Sequence, residues 1–98
     1  MNKVVLPLPL AEDHPAFAGH FPGRPILPGA VLLTLVLEAI ETHSGRRASL
    51  LPAIKFLRPL LPGAQPVLWL EAGADSVKFE VHCDGALAAS GRAVLAAP

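Results

Sequence analysis

A histidine followed nine residues later by the start of an apolar helix is the pairing in this chain that can do chemistry. His20 is carried by the stretch His20-Phe21-Pro22-Gly23-Arg24-Pro25-Ile26-Leu27-Pro28-Gly29. Each proline holds φ near −65° and removes a backbone donor, so the stretch has few conformations open to it. Gly23 and Gly29 allow an approach that a Cβ would block. The N–H groups of Gly29 and Ala30, at the start of the helix, have no intrahelical acceptor and sit at the positive end of its dipole. They can stabilise negative charge growing on a carbonyl oxygen, and imidazole is a general base that titrates near neutral pH. A base beside oxyanion donors suits removal of a proton α to a thioester carbonyl. That kit serves dehydration, isomerisation or hydrolysis of an acyl thioester.

The elements that must position this pair can be read from patterning. Val4 to Leu8 predicts a first strand, and Ala11 to Gly19 a loop. The helix is expected to begin near Pro28, whose missing N–H costs nothing in a first turn. It runs through Ala30-Val31-Leu32-Leu33-Thr34-Leu35-Val36-Leu37-Glu38-Ala39-Ile40 and stops around Ser44-Gly45. It is apolar nearly all round, which predicts burial on most sides. Thr34 and Glu38, its polar interruptions between Gly29 and Ile40, share a face one turn apart. Strands are then expected at Ile54 to Arg58, Val67 to Glu71, Val77 to His82 and Leu87 to Ala96. Asp84-Gly85 is a two-residue hairpin signal between the last two. One long helix followed by an antiparallel meander is an α+β pattern.

With 98 residues, 52% of them hydrophobic and 16% charged, the chain reads as one domain over residues 1–98 with a packed core. Its apolar content exceeds what a small monomer exposes, so part is expected to be covered by a second copy. Eight Lys and Arg balance eight Asp and Glu, which argues against a nucleic-acid binder. One cysteine, Cys83, excludes an internal disulfide, and no Cys/His set has metal-ligand spacing. On its strand Cys83 reads as a small buried hydrophobe rather than a nucleophile. The apolar run is too short to span a bilayer and no signal peptide is visible, which predicts a soluble, cytoplasmic protein.

Gly19 to Gly29 resembles the signature of the bacterial β-hydroxyacyl-(acyl carrier protein) dehydratases of fatty acid synthesis. The likeness continues through Ile54-Lys55-Phe56-Leu57-Arg58-Pro59-Leu60-Leu61-Pro62-Gly63 and into the last strands. It implies the hotdog fold, an antiparallel sheet wrapped around one long central helix, with two copies joined edge to edge. It implies dehydration of a β-hydroxyacyl thioester to the trans-enoyl product, without metal or organic cofactor. His20 would be the general base, the N–H of Gly29 would polarise the thioester carbonyl, and the Ile26 carbonyl would orient the His20 ring. Phe21, Pro22, Gly23, Ile26, Pro28 and Ala30 would line the substrate. The family's second catalytic group is a helix carboxylate from the partner protomer, at the position that is Thr34 here. Glu38 follows one turn later, about 5–6 Å along the axis. Short relatives also serve specialised lipid or polyene-pigment pathways.

Three roles are open for the helix. Thr34 can hold a proton-delivering water, Glu38 can reach the site, or the chain can be a non-catalytic acyl-carrier-binding subunit of a heteromer. A hotdog thioesterase is a further alternative. Acyl carrier proteins are acidic, so Arg24, Arg46, Arg47, Lys55 and Arg58 are candidate docking residues. They equally suit a solvated surface and a helix C-terminus. His14 and His43 are expected to be solvated at a loop and a helix end, and His82 to face water.

Overall fold

The computed structural model describes residues 3–17 and 25–97. Strand β1 (Lys3–Pro7) leads through a 3-10 turn at Pro15–Phe17 to helix α1 (Gly29–Ser44). After it come β2 (Ala48–Leu50), β3 (Lys55–Phe56), β4 (Val67–Ala72), β5 (Ser76–Cys83) and β6 (Ala86–Leu95). The six strands form one antiparallel sheet in the order β1-β4-β5-β6-β2, with β3 also paired to β6. The expected α+β architecture is observed.

Local signals account for most boundaries. Pro28 stands at the N-cap with φ −60° and ψ 142°. Gly45, with φ 71°, takes the left-handed position that ends the helix, and its N–H donates to the Glu41 carbonyl at 2.9 Å. Asp84 and Gly85 both have positive φ, 53° and 76°. This is the primed turn whose twist matches the strands it joins.

Alternation builds the core. Leu68 and Leu70 of β4, Val77, Phe79 and Val81 of β5, and Ala89, Ala93 and Leu95 of β6 are buried on one face of the sheet. The helix buries Leu32, Val36 and Ile40, four residues apart, among them. Gly91 lies opposite Phe79 across β5 and β6. A Cβ there would stand 2.5 Å from Ile54 Cδ1 and 2.8 Å from Phe79 Cζ, so glycine makes room for the core's largest side chain.

Five expectations change. The helix is fully buried only along that one stripe, while Val31, Leu33, Leu35 and Ala39 are half-covered. One sheet covers one side of a helix, and the apolar flank beyond it is only partly covered by the described residues. Strand β2 was not expected: its three residues carry no period of their own. It forms because Ala48 N–H donates to the Glu41 carboxylate at 2.8 Å and Ala48–Leu50 pair with residues 93–95. The expected strand at Ile54 to Arg58 shortens to β3, after which the Leu57 and Arg58 N–H groups both donate to the Ala88 carbonyl, at 2.8 and 3.2 Å.

His82 is not a water-facing residue. A register shift between Val81 and His82 turns its ring onto Trp69, with centroids 4.0 Å apart and planes 19° from parallel. Its Nε2 is 2.8 Å from Glu80 Oε1, and its side chain is 17% exposed. The Lys3 ammonium lies 4.4 Å from the Trp69 ring centroid. His14 is likewise engaged. Its Nδ1 accepts the Ala16 N–H at 3.0 Å, and its ring meets Phe17 edge-on at 6.5 Å.

Candidate functional site

The start of α1 is fixed from two sides. The Val31 and Leu32 N–H groups donate to the Pro28 carbonyl at 3.0 and 3.1 Å, closing the first turn. Leu27 N–H donates to the Leu60 carbonyl at 2.9 Å, tying the approach to the helix to the segment that follows β3. The N–H groups of Gly29 and Ala30 have no acceptor among the described residues. No described residue keeps them from a ligand oxygen, as the early turn of a helix allows. Ile26, Gly29, Leu32, Phe56, Leu57 and Leu60 line a cavity of about 470 Å³ at this end. Its lining is apolar apart from Arg58 and backbone, which suits an acyl group held by one or two hydrogen bonds.

His20, Phe21, Pro22, Gly23 and Arg24 lie outside the described residues. Of the other expected site residues, Ile26, Pro28 and Gly29 meet at this cavity, and Ala30 is exposed on the first turn. Thr34 is exposed, and its Oγ1 donates to the Ala30 carbonyl at 3.0 Å. That bond occupies the hydroxyl's one proton and leaves lone pairs to accept from water or substrate.

Glu38 does not join the Gly29 cavity. It lies nine residues on, about 13.5 Å along the axis. It lines a separate groove of about 580 Å³ with Leu6, Pro9, Leu35, Thr42 and His43, between β1 and the outer flank of the helix. His43 is exposed, as expected of a helix end, but shares this groove.

The docking candidates divide. Arg47, Lys55 and Arg58 are exposed, and Arg58 borders the Gly29 cavity. Arg46 departs from the docking expectation. Its Nε donates to the Ala96 carbonyl at 2.7 Å, Nη1 to the Ala74 carbonyl at 3.1 Å, and Nη2 to Asp75 at 3.1 Å. With its side chain 17% exposed, it clamps the end of β6 to the β4–β5 turn rather than facing a partner.

Sequence reasoning did not single out Phe56, Leu57 or Leu60 as site residues. The signal available was a short apolar run framed by Lys55, Arg58 and prolines, with nothing local to say that it folds against Gly29. No group of three or more metal-ligating side chains exists among the described residues.

Cys83 is half-buried rather than buried, with Sγ 3.8 Å from Asp84 Oδ2. Burial, and then the Asp84 carboxylate, push its pKa up, so near neutral pH it is a thiol and a poor nucleophile. Alkylation by iodoacetamide is therefore expected to be slow at neutral pH and to accelerate above the ordinary thiol range. Asp84→Asn, tolerated at that positive φ, removes the adjacent charge and is expected to speed the reaction at fixed pH. Fast labelling at pH 7 with no response to Asp84→Asn would contradict this account.

The fold and the helix-end cavity define a class before they define a family. The chain superimposes with a TM-score of 0.81 on a structure of the dehydratase heterocomplex ApeI:P from Xenorhabdus doucetiae, at 27% identity over 97% of this chain and 88% of that one. An uncharacterized protein from Erwinia carotovora subsp. atroseptica matches with a TM-score of 0.73 and 31% identity, over 96% and 81% of the two chains. An (R)-hydratase from A. caviae shares the fold alone, with a TM-score of 0.70 at 18% identity over 99% and 95%. The molecule is a hotdog-fold protein.

The model of the ApeI-like family, described as ApeI dehydratase, matches residues 1–92, and the chain belongs to that family of hotdog-fold dehydratases. Among curated relatives it is 33% identical to the 3-hydroxyacyl-[acyl-carrier-protein] dehydratase FabZ of Mannheimia succiniciproducens, over 80% of this chain. The Histophilus somni (strain 2336) protein of the same name gives the same values. The chain spans 66% of the length of these two relatives. No helix among the described residues is long and apolar enough to cross a membrane.

Proposed function

We propose that this chain removes water from β-hydroxyacyl groups carried on acyl carrier protein, giving the trans-enoyl thioester. The observation that carries the reading is a Gly29 N–H with no acceptor among the described residues, at the edge of a largely apolar cavity directly after the sequence that bears His20. With the thioester carbonyl accepting from Gly29, His20 takes the α-proton and the carbon's electron pair shifts toward the carbonyl oxygen. Charge on that oxygen is held by the Gly29 N–H and the helix dipole. The electrons then return to form the α,β double bond, and the β-hydroxyl leaves as water after taking a proton from a Thr34-held water, or from a carboxyl group of a partner chain, that the His20 imidazolium ultimately replenishes. The Ile26 carbonyl orients the His20 ring. Phe21, Pro22, Gly23, Pro28 and Ala30 shape the entry. Arg24, Arg47, Lys55 and Arg58 meet the acidic carrier, and the reaction needs no cofactor.

A second reading has its own observation. The resemblance puts Thr34 where the family has its helix carboxylate, its hydroxyl donates to the Ala30 carbonyl, and the outer flank of α1 is only partly covered by the described residues. A partner chain placed on that flank, a second copy or a different subunit, can bring the missing carboxylate. The likeness to a dehydratase that forms a heterocomplex favours the different subunit.

Incubating the purified protein with β-hydroxyacyl-carrier of several acyl lengths and reading intact mass tests both. Loss of one water from the carrier supports the stand-alone dehydratase. Release of free carrier thiol would replace it with a thioesterase. An unchanged mass with retained carrier binding would leave the partner-subunit reading.

A further inference from the structure

Phe56 is the feature of the helix-end cavity that neither folding nor the proposed catalytic groups explain. It is a large aromatic left 52% exposed, and it touches the residue that carries the carbonyl donor. Gly29 does not need to be glycine for its backbone. It lies within α1, and among the described residues the glycines with left-handed φ are Gly45, Gly63 and Gly85. At a helical position alanine is normally favoured by about 0.5–1 kcal/mol. What stands against alanine is the Phe56 ring, which would have to shift: a Cβ on Gly29 would lie 2.9 Å from Phe56 Cζ and 3.0 Å from Cε1. The tip of the ring therefore rests against Gly29 Cα.

The ring is held there by its backbone. Lys55 and Phe56 pair with Ser90 and Ala89 of β6. The next two N–H groups both donate to Ala88. With only two side-chain torsions, the ring stands as a wall of the cavity that Ile26, Leu32 and Leu60 also line.

We infer that Phe56 selects substrates at the α-carbon, admitting unbranched β-hydroxyacyl thioesters and excluding those with an α-methyl group. This rests on the reading that Gly29 N–H holds the thioester carbonyl. An oxygen accepting from that N–H lies about 2.9 Å from Gly29 N, and its carbon about 1.2 Å further. The α-carbon is the next atom. Gly29 N is one bond of about 1.5 Å from the Cα that the ring touches. With the acyl chain running along the Phe56 wall, a methyl on the ring side of the α-carbon would compete for space with Cζ and Cε1, inside the roughly 3.5–4 Å that two carbons need. An α-methyl substrate still has one α-proton to lose, so the chemistry permits it and only the wall excludes it.

The experiment compares kcat/KM for the N-acetylcysteamine thioesters of 3-hydroxybutyrate and of both diastereomers of 2-methyl-3-hydroxybutyrate. Wild type, Phe56→Ala and Phe56→Leu are measured, with folding checked by circular dichroism. Wild type is expected to favour the unbranched thioester by tenfold or more. Phe56→Ala is expected to narrow that ratio by about tenfold, the size of effect one methyl group exerts in a packed site. Phe56→Leu, which keeps an apolar cover, is expected to fall between them and serves alone if the alanine variant does not fold. Turnover of the unbranched thioester with a ratio unchanged in the folded variants overturns the inference and leaves the dehydratase reading intact. No turnover of the unbranched thioester by wild type removes that reading, and this inference with it.

Discussion

His20→Ala is expected to lower dehydration of β-hydroxyacyl-carrier by about 10²–10⁴-fold, the contribution of a positioned general base. The loss should fall on kcat rather than on carrier binding, because the proposed docking cations Arg47, Lys55 and Arg58 are exposed and unaltered. Exchange of the substrate's α-hydrogen with deuterated water should disappear with it, since that exchange reports the base alone and does not require the hydroxyl to leave.

Glu38→Gln is the companion variant. Glu38 and Gly29 line different cavities in the chain, so turnover is expected to stay within tenfold of wild type. That would leave the leaving-group proton to a water held by Thr34 or to another subunit. A loss as large as that of His20→Ala would instead assign the proton to the Glu38 carboxylate, delivered from a partner copy. Retained dehydration in His20→Ala would sink the proposed mechanism outright.

The second large effect is on stability. Gly91→Ala is expected to destabilise the fold by about 2 kcal/mol, within the range for overpacking a filled core. For a domain of this size that corresponds to a fall in Tm of roughly 8–16 °C. The new Cβ would meet Ile54 Cδ1 at 2.5 Å and the Phe79 ring at 2.8 and 2.9 Å. Phe79 is fully buried and has nowhere to move, whereas Ile54 is only half-covered.

Ile54→Val should therefore cost less in the Gly91→Ala background than in wild type, because it withdraws the nearest of the clashing atoms. Thermal melts of the two single variants and the double variant give the coupling directly. Strict additivity would show that the strain lies with Phe79 alone. An unchanged Tm for Gly91→Ala would mean that the sheet opens enough to take a methyl group.

How much of this could be read from the chain differs from element to element. The helix boundaries were legible because their causes are local. Pro28 can only begin a helix, and Gly45 can end one at positive φ. The β5–β6 hairpin was legible for the same reason, since Asp84-Gly85 is one of the few dipeptides that take a primed turn. The hotdog fold and the dehydratase family were legible through the His20 to Gly29 motif and the Ile54 to Gly63 run. Strand β2 was not, because its three residues pair only when β6 and Glu41 are brought to them.

The site divides along the same line. By itself the sequence determined the residue types that can act: a histidine in a proline-framed stretch, backbone donors at a helix start, and Thr34 and Glu38 as the polar residues on the helix face. Only the tertiary structure decided that the Phe56 ring rests on Gly29, and that Glu38 opens into a different groove. It also decided that Arg46 clamps the end of β6, and that His82 stacks on Trp69. Periodicity, caps and turns are set by torsions and hydrogen bonds spanning a few residues, so they are written locally. Which side chains share a cavity depends on sheet pairings between residues as far apart as Phe56 and Ala89, and those are settled only when the core closes.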